Sequence, residues 1–372
     1  MITPHEDLPA DAPLGTLEAV AHFNDAMPTG VTVSHEGRIF VNFPKWGDDV
    51  QFTVAEIVDG KARAYPSEEF NRTREDDLAA ALVSVQSVVV DPLDRLWILD
   101  TGSPMFQPTQ YGGPKLVCVN LDSNTVAKTI LFPQDVALPT TYLNDVRFDL
   151  RRGAGGMAFI TDSSDKGPNG IIVVDLATGE SWRRLNDHPS TKPEEMQQFL
   201  PVVEGRPFLQ HQQDGSVRPG PYMGADGIAI SAGGRRLFYC PLGTRRLYSV
   251  STDALADRAL SESEVAATVI DEGNKGCGSD GLESDASGCL YTTDYEHNAI
   301  LRRTPENTWE TVAHDPRLLW PDTLSVATDG YLYVTANQLH RQARYHDGQD
   351  LRAKPYTLFR VRVDAQPVML RH

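Results

Sequence analysis

One sequence pattern recurs along the chain and limits the fold more than any other feature. In its clearest copy, an apolar run starts at Asp226-Gly227, turns at Gly233-Gly234, and is followed by further apolar runs at 237–242 and 246–250. Short runs rich in β-branched and aromatic residues, separated by Gly, Asp and Ser, predict successive strands of an antiparallel meander.

The pattern occurs six times, at spacings of roughly 40 to 80 residues. The other five copies begin near Thr29, Val85, Asn144, Asp280 and Asp322. Repeats of this length, each a four-stranded unit, are typical of β-propellers. An unrepeated β-sandwich would need all six copies to be coincidental. We therefore predict an all-β chain that forms a single six-bladed β-propeller.

The repeat also sets the predicted organisation of the domain. A single domain is expected over 1–372, and its blades are expected at 28–66, 84–133, 142–185, 224–270, 278–315 and 320–365. A strand at 15–24 should pair with the C-terminal run at 356–363 and complete the last blade, because closing the ring removes free sheet edges.

Three interruptions of the repeat are also expected to have structure. The long insertion at 186–223 is predicted to be a loop that caps one face of the ring, with a short helix at 193–200. A second helical piece is predicted at 254–267, and another loop at 337–355 interrupts the last blade.

Composition excludes several classes of partner. The formal charge of −17 disfavours nucleic acid and anionic membranes but suits cations. No apolar stretch is long enough to span a bilayer, and the N-terminus lacks the basic and apolar regions of a signal peptide. The four cysteines show no zinc-binding spacing. These features predict a cytoplasmic protein with a small-molecule ligand, and they leave the oligomeric state open.

Equivalent positions of the repeat should converge at one end of the central channel. The predicted ring consists of Thr29, Gln86, Asn144 or Asp145, Asp226, Asp280 and Asp322. Carboxylates this close repel one another unless a cation or a proton lies between them. Because all of these groups are hard oxygen donors, they favour Ca²⁺, Mg²⁺ or Mn²⁺ over zinc or copper. We predict Asn144, Asp226 and Asp280 as the metal ligands.

Further side chains near the ring are predicted to contact a substrate. These are Gln86, Asp145, Tyr142, Trp320 and His340. Tyr142 and Trp320 immediately precede ring positions, although burial in the core is the simpler role for both. The loop residues His340 and His211 are candidate acid–base groups.

Other residues of the same types are predicted to be structural. Asp329 lies in a hairpin turn with Gly330, and turns commonly contain Asp-Gly. The remaining structural predictions cover strand-end aspartates and aromatic residues between the blades: Asp91, Asp149, Asp285, Trp97, Trp182 and Tyr248.

Several motifs together resemble a known family. Residues 95–102 (RLWILDTG) resemble the RLWVLDTG stretch of the Yellow / major royal jelly protein family. Further matches lie at 43–46, 143–145, 238–252 and 337–341. The chain is thus similar to a signal-less, bacterial-type member of this family over about 15–365. The resemblance implies a six-bladed propeller, and it implies dopachrome conversion, carriage of small amines or a nutritive role as possible functions.

The blade starts are also similar, more distantly, to the gluconolactonase / regucalcin (senescence marker protein) family. The matching stretches are 143–145, 226–228 and 280–282. This likeness implies a divalent metal at the centre of the ring. The first blade departs from the pattern, since Thr29-Gly30-Val31 stands where that family has Glu-Gly-Pro. One metal ligand is therefore in doubt, and Asp322 is the candidate to replace it in the ring.

These features lead to one preferred function and one alternative. The preferred function is a metal-dependent hydrolase of a sugar lactone or similar cyclic ester. In it the metal polarises the carbonyl, and Asp280, or failing that Asp322, acts as the base. The alternative is a non-catalytic protein that binds an amine or aromatic molecule, or a Yellow-type dopachrome tautomerase. The acidic ring favours the hydrolase, and the missing glutamate favours the alternative.

Overall fold

Each copy of the repeat folds into one antiparallel sheet of four strands. The computed structural model describes residues 13–195, 198–212 and 214–372. The innermost strand of every sheet contacts the innermost strands of both neighbouring sheets, and the sixth contacts the first. The six sheets therefore close into a ring, which confirms the predicted six-bladed β-propeller.

The strands are numbered in chain order, beginning with β1 (Leu17–Phe23). Blade one consists of β2 (Val31–Val33), β3 (Ile39–Asn42), β4 (Val54–Val58) and β5 (Lys61–Ala64). Blade two consists of β6 (Val85–Val90), β7 (Arg95–Asp100), β8 (Lys115–Asn120) and β9 (Thr125–Leu131). Blade three consists of β10 (Leu143–Asp149), β11 (Met157–Asp162), β12 (Gly170–Asp175) and β13 (Ser181–Arg184).

The second half of the chain begins with two small hairpins: β14 (Val202–Val203) with β15 (Arg206–Pro207), and β16 (Leu209–His211) with β17 (Val217–Pro219). Blade four consists of β18 (Ala225–Ile230), β19 (Arg236–Pro241), β20 (Arg246–Ser251) and β21 (Ile270–Asn274). Blade five consists of β22 (Leu282–Ser284), β23 (Leu290–Asp294), β24 (Ala299–Arg303) and β25 (Trp309–His314). Blade six contains β26 (Pro321–Val326), β27 (Tyr331–Ala336) and β28 (Tyr356–Arg362).

The N-terminal strand completes the sixth blade, as predicted. β1 pairs with β28 in antiparallel register, from Leu17 opposite Val361 to Phe23 opposite Tyr356. The sheet order is therefore β26-β27-β28-β1. Without β1, the backbone groups of β28 on that side would have no strand to pair with.

Short helices occur only outside the sheets of the described chain. They are α1 (Glu68–Asn71), α2 (Thr252–Ala256) and α3 (Glu262–Ala266). The helical piece predicted at 254–267 is two helices, because Ser261 caps a new helix by accepting a hydrogen bond from the backbone N–H of Glu264. Part of the helix predicted at 193–200 lies outside the described residues, and the rest of that stretch is not helical. Within the described ranges, no helix is long and apolar enough to cross a membrane.

Aromatic and apolar side chains fill the space between blades. Trp97 is buried and lies 5.3 Å from the ring of Phe148 in the next blade. Its indole N–H donates to Asp91. The Asp91 carboxylate also accepts backbone N–H groups in the turn between β6 and β7 of blade two. Trp97 and Asp91 thus have the structural roles predicted for them. Trp182 and Tyr248 are partly buried against the cluster between blades three and four.

Candidate functional site

The innermost strands direct polar side chains towards one end of the channel by a shared irregularity. In blades two, three, four and six, the register of the innermost strand shifts within its first few residues. The shifted positions include Gln86, Asn144, Asp226 and Asp322. β-bulges of this kind re-aim side chains. The ring positions predicted from the repeat therefore coincide with bulges in four of the six blades.

These side chains surround a small central cavity of about 20 Å³. Its polar lining consists of Gln86, Asn144, Asp226, Asp280, Asp322 and Arg344. Its apolar and aromatic lining consists of Trp46, Phe106, Pro221, Met223, Leu242, Leu339 and Tyr345. Five of these residues also line a wider vestibule, which adjoins the cavity on the side of the 186–223 insertion.

Asp226 and Asp280 form a hydrogen-bonded pair of carboxyl groups in the lining of the cavity. Asn144 Nδ2 donates to Asp226 Oδ1 at 2.7 Å, and Trp320 Nε1 donates to Asp280 Oδ2 at 2.7 Å. Burial raises the pKa of Asp280 to about 6. Burial and the neighbouring Asp280 raise the pKa of Asp226 well above its ordinary value. The pair therefore holds a proton at pH values where ordinary aspartates are ionised.

Asp322 is a third buried carboxyl group beside this pair. Its Oδ2 accepts a hydrogen bond from Asn337 Nδ2 at 2.7 Å, and its Oδ1 accepts one from Thr323 Oγ1 at 3.1 Å. Burial, followed by the charge of Asp280, raises its pKa well above the ordinary value. The surroundings of Asp322 therefore favour its protonated form more than water does for an ordinary aspartate.

Two other predicted residues lie next to the cavity but do not line it. The hydroxyl of Tyr142 donates to Gln86 Oε1 at 3.0 Å and accepts from Trp46 Nε1 at 2.8 Å, so it fixes two residues that do line the cavity. Asp145 accepts a hydrogen bond from Ser87 Oγ at 2.6 Å and forms an ion pair with Arg147 at 2.9 Å. Of the two alternatives in blade three, Asn144 is the one that reaches the cavity. Thr29, the ring position predicted in blade one, is also not among the lining residues, and its hydroxyl donates to the backbone oxygen of Gln86.

Trp320 occupies an uncommon backbone conformation directly behind the cavity. Its φ is +55°, a region in which a bulky side chain is a genuine outlier. The indole is fully buried and stacks on Tyr295 with ring centroids 4.2 Å apart. This packing maintains the strained backbone and directs the indole N–H at Asp280. Trp320 thus positions Asp280 and does not line the cavity.

His340 connects the loop at 337–355 with the insertion at 186–223. Its Nε2 lies 2.8 Å from Glu204 Oε2, and Arg341 pairs with the same carboxylate. These two partners hold the pKa of Glu204 well below its ordinary value, while burial outweighs Glu204 and lowers the pKa of His340. His340 is absent from the cavity lining. The other candidate histidine, His211, lines the vestibule and pairs with Asp347 at 3.0 Å.

Sequence reasoning missed a set of carboxylates that support the ring from below. Asp100 accepts the backbone N–H groups of Val83 and Ser84, and Asp162 accepts that of Tyr142. The bonded N–H groups belong to the residues that lead into β6 and β10. An aspartate at the end of the second strand of a blade, as in Asp100 and Asp162, was the available signal.

The oxygen donors fit a hard divalent cation by their chemistry. Asn144, Asp226 and Asp280 offer buried carboxylate and amide oxygens, and the raised pKa values of the two carboxyl groups show that negative charge there is poorly compensated. One oxygen of each carboxyl group already accepts a hydrogen bond, from Asn144 or from Trp320. Within the described ranges, no group of three or more His, Cys, Asp and Glu side chains is arranged to hold a metal ion.

Fold and site together define a six-bladed propeller with an acidic pocket at one end of its central channel. The sequence model of the major royal jelly protein family matches residues 83–366. The chain belongs to this family. It is 26% identical over 251 residues to Protein yellow of Drosophila madeirensis, covering 64% of this chain and 41% of that protein. It is 27% identical over 205 residues to Major royal jelly protein 7 of Apis mellifera, covering 54% and 42%. The match thus spans less than half the length of these relatives.

Solved structures share the fold at low sequence identity. A luciferin-regenerating enzyme superposes with a TM-score of 0.58 at 10% identity, covering 96% of this chain and all of that one. The calcium-binding protein regucalcin from Agrobacterium tumefaciens gives 0.54 at 12% identity, covering 94% and 95%. A candidate gluconolactonase gives 0.51 at 11% identity, covering 95% and 93%. At these identities the likeness demonstrates the shared fold alone.

Proposed function

We propose that the protein is a hydrolase of a lactone or similar cyclic ester, with its reaction centre at the acidic end of the channel. The observation that carries the proposal is Asp280, a buried carboxyl group that faces the cavity and has a pKa raised to about 6. A base with a pKa near the working pH is well matched to deprotonating water. Regucalcin and a candidate gluconolactonase share the fold, which is consistent with this chemistry.

In the proposed reaction, Asp280 accepts a proton from the water that attacks the carbonyl carbon. The indole N–H of Trp320 keeps the carboxylate oriented during this transfer. As the ring C–O bond breaks, the leaving oxygen takes a proton from Asp322, whose raised pKa favours the protonated form that this step needs. The product is the open-chain hydroxy acid. Asp280 then releases its proton to solvent, and Asp322 takes up a proton from solvent.

A divalent ion is part of the proposal. Ca²⁺, Mn²⁺ or Mg²⁺ would be held by Asn144, Asp226 and Asp280. When bound, it would supply Lewis-acid polarisation of the substrate carbonyl. Elemental analysis of protein purified without chelator tests this part separately from turnover.

A panel of aldonolactones, assayed by proton release, tests the hydrolase. We expect Asp280→Asn to lower kcat by about 10² to 10⁴, the usual contribution of a general base, while the fold is kept. Asp329→Asn is the matched control, because Asp329 is an exposed turn residue whose carboxylate accepts from the backbone N–H of Tyr331. Full hydrolysis by the Asp280→Asn protein would remove Asp280 from the mechanism.

The alternative is binding of a small aromatic amine without hydrolysis, or a tautomerase reaction of the dopachrome type. The observation that favours it is the combination of aromatic walls, from Trp46, Phe106 and Tyr345, with an acidic cavity end. Protein free of metal, with a melting temperature unaffected by Ca²⁺ or Mn²⁺ and without lactone turnover, would favour this alternative. The cytoplasmic location and the lack of nucleic-acid or membrane partners remain predictions from the sequence.

A further inference from the structure

One cation faces the cavity in addition to its carboxyl groups. Arg344 lies in a short 3₁₀ turn (Ala343–Tyr345) of the loop that interrupts blade six. It lines both the central cavity and the vestibule, so it lies at the junction between them. A ligand at the junction of the vestibule and the cavity therefore lies near the guanidinium.

The guanidinium is held in place by aromatic rings. It lies 5.6 Å from the ring centroid of Phe106 and 4.8 Å from that of Tyr345, whose hydroxyl it also hydrogen-bonds. Phe106 in turn stacks on Tyr142 at 4.7 Å, and Tyr345 packs against Phe208 at 4.3 Å. Cation–π contacts of this kind orient a guanidinium without neutralising its charge. Arg344 is thus a fixed positive charge beside the cavity.

The half-buried side chain of Arg344 has no carboxylate partner among the described residues. Three arginines with well-buried side chains, Arg147, Arg183 and Arg184, pair with Asp145, Asp162 and Glu262. In the part of the chain that the structure describes, the buried Nε of Arg344 has no hydrogen-bond partner, which is also true of Arg147 and Arg184, so the missing carboxylate is what distinguishes Arg344. A buried polar group is costly to leave unpaired. A ligand that supplies an anionic acceptor would remove this cost.

We propose that Arg344 is the anion-recognition residue of the site and that the substrate carries a carboxylate. A planar carboxylate matches the fork of a guanidinium, and its single charge is less repelled by the acidic end of the cavity than a phosphate dianion. With the carboxylate on Arg344, the rest of a small ligand extends towards Asp280. Combined with the proposed function, on which this part rests, the substrate class is a lactone with a ring carboxylate.

Binding tests the anion site without relying on hydrolysis. Calorimetry with cyclopentanecarboxylate, which cannot be hydrolysed, should show binding to the wild-type protein. Arg344→Gln should weaken it on the order of 10- to 100-fold, the range for a charge-assisted hydrogen bond. Arg344→Lys should lose less, because it keeps the charge but not the fork. Arg258→Gln is the matched control, since Arg258 also lies over an aromatic ring, that of Trp182, but on the exposed surface.

Turnover tests the substrate class. The wild type should prefer paraconate, a γ-lactone with a ring carboxylate, over its methyl ester, and Arg344→Gln should reduce this preference by about the same factor. Carboxylate binding that depends on Arg344, with neither lactone hydrolysed, would overturn the hydrolase and keep the anion site. Equal carboxylate binding by wild type and Arg344→Gln, or none by the wild type, would overturn the anion site. Inorganic phosphate that displaces the probe at equal concentration would overturn the carboxylate assignment. Melting curves show that each variant is folded, and Arg344→Lys provides the comparison if Arg344→Gln is not.

Discussion

The buried carboxyl groups make the stability of the metal-free protein depend on pH in a direction opposite to that of a salt-bridged carboxylate. Asp280 has an ordinary pKa of 3.8 in the unfolded chain and a pKa of about 6 in the folded protein. Below pH 4 both states hold the proton. Between pH 4 and 6 the unfolded chain releases it while the folded protein keeps it, so rising pH favours unfolding. Above pH 6 the loss is complete and constant.

The size of the effect follows from the two pKa values. A pKa difference of about 2 corresponds to about 3 kcal/mol of unfolding free energy. For a chain of 372 residues, an unfolding entropy of about 0.8 kcal/mol/K converts this into about 4 °C of melting temperature. The value is a lower limit for removing Asp280, because its charge also raises the pKa values of Asp226 and Asp322.

Calorimetric melting of chelator-treated wild type and Asp280→Asn from pH 4 to 7 measures the effect. The variant keeps an oxygen that can accept a hydrogen bond from Trp320. Any difference in melting temperature between the two proteins that does not depend on pH cancels when the difference at pH 7 is compared with that at pH 4. We expect the melting temperature of the variant, relative to wild type, to rise by about 4 °C or more across this range. A difference that does not change with pH would refute the reasoning. Added Ca²⁺ or Mn²⁺ should restore the wild type more than the variant, because a cation bound only by the native state stabilises it.

Three further predictions concern the surroundings of the site. Trp320→Phe removes the N–H that stabilises the ionised form of Asp280. The pH–rate profile of lactone hydrolysis should shift to higher pH, and the rate at pH 6 should fall about 10-fold. An unshifted profile would mean that the indole contributes packing alone. Glu204→Gln removes the charge that pairs with His340 and Arg341 and should make the 186–223 insertion more sensitive to limited proteolysis. Unchanged cleavage would argue against this link. Deleting residues 1–23 exposes the edge of β28. The truncated protein should self-associate, which size-exclusion chromatography would detect. A truncated protein with the same elution volume and the same stability as the full chain would show that the sixth blade does not need β1.

Much of the fold was predictable because the same sequence pattern occurs six times in the chain. Each blade start repeats the same phase, so Asn144, Asp226, Asp280 and Asp322 could be assigned to one ring without any contact information. Side chains alternate between faces along a strand, and a bulge changes that alternation. The sequence therefore left Asn144 and Asp145 as alternatives, and the bulge in β10 decides between them.

The rest of the site comes from segments that follow no period. Trp46, Phe106 and Arg344 belong to loops of three different blades, and only the closed ring brings them over the same cavity. Nothing in the local sequence of His340 indicates that its partner is Glu204, 136 residues away. Long-range loop contacts of this kind carry no periodic signal, so the sequence predicted the acidic end of the pocket and missed its aromatic and cationic side.

The two sides impose an orientation on any ligand. Near neutral pH the cavity has carboxyl groups at its inner end and the guanidinium of Arg344 beside the vestibule. A simple amine would be attracted to the inner end but would also lie near a fixed cation. A simple anion would stop at Arg344 and leave Asp280 without a reaction partner. A molecule with an anionic group at one end and a polarisable carbonyl at the other satisfies both sides. This is the physical reason to prefer a carboxylated cyclic ester over a small amine as the ligand of this pocket.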